Sequence, residues 1–254
     1  MLVAAGADKD QAQNDGATPL FIAAQEGYLE IVRFLVTAGS DKNQAPNSGE
    51  TPLFIAAQKG HLDIVRFLVE AGADKKQARG DGATPLFIAA QEGHFDIVRF
   101  LVEAGANKDQ PKDHGATPLF IGAQKGHLDI VRFLVEAGAD KDQAPHSGET
   151  PLFIAAQEGH LDMVRFLFEA GSEKDRPKNR GAMPLLIAAQ KGHLDVVRFL
   201  VETGADNDQA KGDGAIHASW VCLKCCYCLF FDGKSTTSFF SYKMFFFAGV
   251  ASTG

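Results

Sequence analysis

Cysteine is scarce in this 254-residue chain and is confined to one place. All four copies lie within Cys222–Cys228, and the 221 residues before them contain none. A domain held by disulfides would distribute paired cysteines along its length, so a reducing compartment, cytoplasmic or nuclear, is the expectation. An excess of positive charge is also missing, with 25 Lys and Arg against 32 Asp and Glu. Nucleic-acid binding needs a clustered basic face, so polyanionic partners are disfavoured. The last 37 residues hold three lysines and one aspartate, which leaves the body before them more acidic still. No stretch reaches the roughly 18 uncharged apolar residues of a membrane span. Met1 is followed by LVAAGADKD, which lacks the basic region and sustained apolar run of a secretory signal.

What the chain does contain is a period. GETPLFIAAQKGHLDIVRFLVEAG runs from Gly49 to Gly72, and its Thr51 has counterparts at Thr18, Thr84, Thr117 and Thr150, each 33 residues from the next. Met183 and Ile216 occupy the next two slots. A fixed period of this length marks a solenoid, whose units bury their apolar faces only against their neighbours. Six complete units begin near Asp15, Ser48, Asp81, His114, Ser147 and Arg180. Residues 1–14 read as the back half of another unit, since LVAAGADKDQAQ aligns with LVTAGSDKNQAP at 35–46. Either a start codon falls inside a second helix or the chain is a piece of a longer array. The second reading is favoured because such arrays need a polar capping unit. The array is expected to occupy 15–217, with a foreign tail over 218–254.

Within each unit the Thr-Pro pair predicts a helix start. Threonine caps well, and proline at the first helical position loses only an amide that had no partner. Gly60 stops the first helix, and a second runs from His61 to Ala71 before Gly72. Leu62, Ile64, Val65, Phe67, Leu68 and Val69 cover most of that helix, which predicts an internal layer packed on both sides. Asp63, Arg66 and Glu70 form its one wet stripe. The recurrent arginine reads either as a partner clamp or as a solvated face, and the solvated face is favoured. Gly122 replaces a helix alanine in the fourth unit, and Met183 removes the cap threonine from the sixth, at about 0.5–2 kcal/mol. The seventh unit opens with Ile216-His217 and dissolves.

Polar connections such as ADKNQAPNSGE, too short for a helix, predict protruding hairpin-like loops. The copies differ most at their tips: Asn47-Ser48, Gly80-Asp81, Asp113-His114, His146-Ser147 and Asn179-Arg180. A constant framework under variable tips looks like a recognition scaffold.

The unit G-x-TPL-x-x-AA-x-x-GHL-(D/E)-x-V-x-x-L-x-x-x-GAD resembles the ankyrin repeat over nearly all of residues 15–212. The resemblance implies an all-α solenoid of stacked antiparallel helix pairs with β-hairpin-like loops, binding other proteins through loop tips and the exposed side of each first helix. Carried over copy by copy, that partner-binding surface is Asn14, Asp15, Ala17, Gln25 and Glu26, then Asn47, Ser48, Glu50, Gln58 and Lys59. It continues with Gly80, Asp81, Ala83, Gln91 and Glu92, then Asp113, His114, Ala116, Gln124 and Lys125. His146, Ser147, Glu149, Gln157 and Glu158 follow, and Asn179, Arg180, Ala182, Gln190 and Lys191 complete it.

The chain departs from the family pattern in three ways. The usual His after TPL is Phe21, Phe54, Phe87, Phe120 and Phe153, with Leu186 in the sixth copy. The Asp that opens the loop strand is replaced by Gln13, Pro46, Arg79, Lys112, Pro145 and Lys178. Lys75, Lys141 and Asn207 stand where the family favours valine. The loops are therefore expected to lose polar ties and apolar anchoring. Glu26, Lys59, Glu92, Lys125, Glu158 and Lys191 alternate in sign, which predicts a charge ladder along the first-helix face.

No cofactor is implied. Cys222, Cys225, Cys226 and Cys228 invite a zinc reading, but four cysteines in seven residues offer no second arm. Lipidation beside Trp220, Phe230 and Phe231 would make the tail a membrane anchor. Gly233-Lys234-Ser235-Thr236 lacks the upstream glycine of a phosphate loop, and Arg79-Gly80-Asp81 reads as a coincidental adhesion tripeptide. His61, His94, His127, His160 and His193, with Tyr28 in the first copy, recur once per unit. A residue so repeated is framework, expected to order the loop that opens the second helix. No nucleophile, carboxylate pair or metal cluster converges. The expected function is a monomeric, non-enzymatic protein-binding scaffold. The alternatives are a tail-anchored membrane adaptor and the binding module of a larger enzyme.

Overall fold

The computed structural model of the protein describes residues 8–172 and 183–204. These residues form six helix pairs in chain order. The first helices are α1 (Pro19–Glu26), α3 (Pro52–Lys59), α5 (Pro85–Glu92), α7 (Pro118–Lys125), α9 (Pro151–Glu158) and α11 (Pro184–Lys191). The second helices are α2 (Leu29–Thr37), α4 (Leu62–Glu70), α6 (Phe95–Glu103), α8 (Leu128–Glu136), α10 (Leu161–Glu169) and α12 (Leu194–Glu202).

Each first helix starts and stops for reasons visible in the sequence. The Oγ1 of Thr51 accepts from the Phe54 N–H at 3.1 Å, and Thr18, Thr84, Thr117 and Thr150 repeat the bond at 3.1–3.2 Å. Proline occupies the first turn, where its missing N–H costs no bond. Met183 stands at the α11 N-cap and provides no side-chain bond. Met183→Thr is therefore expected to raise stability by about 1 kcal/mol. An unchanged urea midpoint would mean that packing of the Met183 side chain outweighs the missing cap.

The second helices end in a closed turn. Ala73 N–H bonds to Leu68 O at 2.8 Å and Gly72 N–H to Val69 O at 3.0 Å, with Gly72 at φ +83°. Two carbonyls of the last turn are satisfied in this way, and the left-handed residue is one without a side chain.

Each internal second helix packs on its neighbours on both sides, as expected, α4 on α2 and α6, but the two layers are not equally deep. Residues Pro52 through Ala57 of α3 are all buried, whereas α4 buries only Ile64, Val65 and Leu68. Leu62, Phe67 and Val69 are only half-buried. First helices pack on first helices along the stack, α1 on α3, α3 on α5 and onward, with each second helix laid against its own first. Ala56 and Ala57, both fully buried, let neighbouring first helices approach closely. The bulky Phe and Arg side chains of the second helices hold that layer further apart. The first helix is thus the internal layer. Gly122 sits in α7 with the ordinary helical sign of φ, and a Cβ there would meet Val131 at 3.2 Å.

The connections form turns rather than strands; no strand occurs among the described residues. In the loop over 13–17, Gly16 N–H bonds to Gln13 O and Gln13 N–H bonds to Ala17 O, both at 2.9 Å. The loops at 79–83 and 112–116 repeat both bonds. Pro46 and Pro145 have no N–H for the second bond, so their loops keep only the turn, at 2.8 Å. Single backbone bonds join neighbouring tips: Asn47 to Asp15 O, Asp113 to Asp81 O, and His146 to His114 O.

Candidate partner-binding surface

The tip residues lie outermost. Asn14, Asp15, Asn47, Ser48, Gly80, Asp113, His114, His146 and Ser147 are exposed, and Asp81, Glu50 and Glu149 are half-buried. Along the first helices Glu26, Lys59, Glu92, Lys125, Glu158, Gln190 and Lys191 are exposed, and Gln25, Gln58, Gln91, Gln124 and Gln157 are half-buried. Two carried-over positions are corrected. Ala17 and Ala83 are buried, because the residue before the cap threonine turns inward, and they offer nothing to a partner. Asn179, Arg180 and Ala182 lie outside the described residues, as do Lys178, Asn207, Ile216-His217, Cys222–Cys228 and Gly233-Lys234-Ser235-Thr236.

The recurrent histidine does more than order its own loop, and this also differs from the sequence reading. His61 Nε2 lies 3.0 Å from the carbonyl of Gln25, in the preceding unit. His94, His127, His160 and His193 make the same bond to Gln58, Gln91, Gln124 and Gln157, at 2.8–3.2 Å. Since the acceptor is a carbonyl, Nε2 carries the proton and donates. The ring closes over the glycine that ends the preceding first helix. A Cβ on Gly93 would lie 2.7 Å from His127 Cε1. The histidine is therefore a clasp between consecutive units.

The tips of the second, third and fourth units carry an unforeseen ion network. Arg79 donates to Asp81 from Nε at 2.9 Å and from an Nη at 2.7 Å, and to Glu50 at 3.0 Å. Lys112 Nζ reaches Asp81 at 2.8 Å, and the Ala83 N–H adds a bond at 3.2 Å. The Arg79 guanidinium, helped by Lys112 and the Ala83 amide, holds the Asp81 carboxyl well below the usual carboxylate range against the opposing effect of burial. Asp81 and, to a lesser degree, Glu50 push Arg79 upward in return. Asp81 was expected to serve a partner, but its carboxylate is already committed. Arg79 and Asp81 grip each other across Gly80, so the tripeptide does not present two free charges.

The expected loss of polar ties holds for the Pro46 and Pro145 loops, which lack one backbone bond, but not for the loops that Arg79 and Lys112 open. The Arg79 guanidinium lies 5.2 Å from the Phe54 ring centroid, and Lys112 Nζ lies 5.6 Å from that of Phe87. Phe54 and Phe87, in the family's histidine slot, thus anchor the loop that follows through its cation. Asn43 Oδ1 accepts from the Asp74 N–H and Asp109 Oδ1 from the Asp140 N–H, both at 2.9 Å. The missed signal was a cation 25 residues after Phe54 and Phe87, where the copies that begin at Phe21 and Phe120 have proline. Across the second helices, Arg33, Arg66, Arg132 and Arg165 lie over Phe67, Phe100, Phe166 and Phe199 at 5.0–5.6 Å. The arginine stripe stacks on the next unit as well as facing water.

The charge ladder does not form. None of the six alternating side chains is paired with another. Their spacing is too wide, since packed helices stand about 8–10 Å apart and each side chain projects outward.

Among the described residues no group of three or more His, Cys, Asp or Glu is placed to hold a metal ion. No described helix is long and apolar enough to cross a membrane. The family model for ankyrin repeats matches three times, over residues 1–79, 75–145 and 140–211, and its spans cover every described helix pair. The chain belongs to the ankyrin-repeat family. No curated protein matches it in a sequence search. Ankyrin repeats are in general protein–protein interaction modules and are typically non-catalytic. In this ankyrin array the variable tips and the first-helix edges are the parts of the expected surface that remain open.

Proposed function

We propose that this ankyrin array is a non-enzymatic scaffold that captures a partner protein through its loop tips and the exposed edges of its first helices. One observation carries the reading. The clasps, caps and buried helices repeat from unit to unit, whereas the exposed tips change: Asn47-Ser48, Asp113-His114 and His146-Ser147 share one frame and differ in chemistry. A surface whose variation is confined to its outermost residues can change partner without changing fold. Absence of cysteine from the repeats favours a cytoplasmic or nuclear setting.

The test uses the full-length chain in quantitative pull-downs beside thermal melts. Combining Asn47→Ala, Asp113→Ala and Ser147→Ala is expected to weaken capture at least tenfold at an unchanged melting temperature. Unaltered capture, or an array that unfolds on these changes, refutes the assignment of recognition to the tips.

A further inference from the structure

The first helices end in a row of charges, one per helix pair, that alternate in sign from Glu26 to Lys191. The three glutamates are held by the glutamine beside each: Gln25 donates to Glu26 at 3.3 Å, Gln91 to Glu92 at 2.9 Å and Gln157 to Glu158 at 3.0 Å. Lys59, Lys125 and Lys191 form no ion pair among the described residues, and all three are exposed. Packed helices stand about 8–10 Å apart, close to the Debye length of ~8 Å at physiological salt. A ligand charge therefore responds chiefly to the one row charge opposite it, and the sign pattern is not averaged away.

The shape of the array limits what can reach this row. Small residues such as Ala56 and Ala57 bring the first helices together, whereas stacked Phe and Arg side chains hold the second helices apart. The array therefore curves with the charge row on its concave side. A broad protein surface cannot follow that curve, but a narrow segment of chain can.

We propose that the row binds a polyproline-II segment of a partner protein in which every third residue is charged and the signs alternate. This helix has three residues per turn at ~3.1 Å each, so every third side chain returns to the same edge after ~9.3 Å. That repeat falls within the spacing of the units. A β-strand points each third side chain to the opposite face. An α-helix brings a side chain back to the same face only after about seven residues, or ~10.5 Å, and its stiff rod cannot follow a concave row. The polyproline-II chain has no internal hydrogen bonds, so it can bend along the arc.

The glutamines supply the second half of the fit. One precedes each charge, which gives one amide per turn of the segment. Gln25, Gln91 and Gln157 use one N–H on the neighbouring glutamate, and an amide carries a second N–H and an acceptor oxygen. A polyproline-II backbone leaves its carbonyls and remaining N–H groups to outside partners.

An alternating segment meets an opposite charge at all six positions. A uniformly charged one meets three attractions and three repulsions, which cancel. A slip by one unit inverts every meeting, whereas a slip by two keeps the signs and loses two contacts at the ends. The row thus reads spacing and sign rather than a single register. The inference rests on the reading of the first-helix edge as a protein-binding surface and names the segment that this edge takes.

The test is fluorescence anisotropy of labelled peptides with the full-length chain at about 0.15 M salt. The matched peptide is three tandem copies of Lys-Pro-Pro-Glu-Pro-Pro. A block peptide has the same composition, with three copies of Lys-Pro-Pro followed by three of Glu-Pro-Pro, and two more carry charge of one sign only. The matched peptide is expected to bind at least tenfold more tightly than the other three, and about 1 M salt should weaken it at least tenfold. Glu92→Lys combined with Lys125→Glu should lower its affinity at least tenfold. A peptide with its two central charges exchanged should regain that affinity on the double variant, which separates a sign effect from misfolding. A preference below tenfold, no recovery with the exchanged peptide, or no saturable binding by any peptide overturns the proposal. The two readings fail separately. Tip-dependent capture without peptide discrimination removes only this inference, and peptide discrimination with capture indifferent to the tips removes only the tip reading.

Discussion

Phe54→Ala is expected to destabilise the array by about 3–5 kcal/mol. The ring is fully buried in α3, and its removal leaves a cavity in the internal layer. The same ring carries the Arg79 guanidinium of the next unit at 5.2 Å, so the change also loosens the ion network at the tips of the second to fourth units. Stacked repeats are stabilised by each unit and by its contacts with the next. Damage at the second unit should therefore divide the unfolding curve, the N-terminal units melting before the rest. Urea titration followed by circular dichroism reads both effects. A loss below about 1 kcal/mol with one sharp transition would show that the ring is not a principal support of the internal layer.

Gly93→Ala tests the clasp. Gly93 has φ +83°, and a methyl group there would stand 2.7 Å from His127 Cε1. Two costs combine: the left-handed backbone, about 1–2 kcal/mol for a residue with a Cβ, and displacement of the ring that bonds Gln91 O at 3.1 Å. Together they are expected to reach about 2–4 kcal/mol. Gly105→Ala is the control, since φ is +82° there and a Cβ would find nothing within 4 Å. It should show the backbone cost alone. The difference between the two variants is the clasp, and it should vanish when both are made in a His127→Ala background. Equal losses in the wild-type background would refute the clasp.

Much of this architecture was legible because its causes are local. Thr51 caps a bond three residues away, Gly60 ends a helix by its own backbone, and the 33-residue spacing aligns the copies without any knowledge of packing. What escaped reading was the set of contacts between units. His61 finds its acceptor 36 residues back, at a carbonyl that no sequence pattern marks. Arg79 meets Glu50 and Phe54 only because neighbouring loops lie side by side. Hydrophobic count misjudged the second helix for a related reason. Composition gives the number of apolar side chains, whereas depth depends on which layer has residues small enough to approach its neighbours, and Ala56-Ala57 decide that in favour of the first helix. At the surface, exposure of the tips followed from the pattern, but the commitment of Asp81 did not, because its partners come from two units.

The clasp divides its requirements between units: the glycine belongs to one and the histidine to the next. Every internal unit therefore carries a socket at one end and a plug at the other, both of the same gauge. Exchange, deletion or duplication of a whole internal unit leaves each connection matched, so the length of such a chain can change in steps of 33 residues without a new joint being invented.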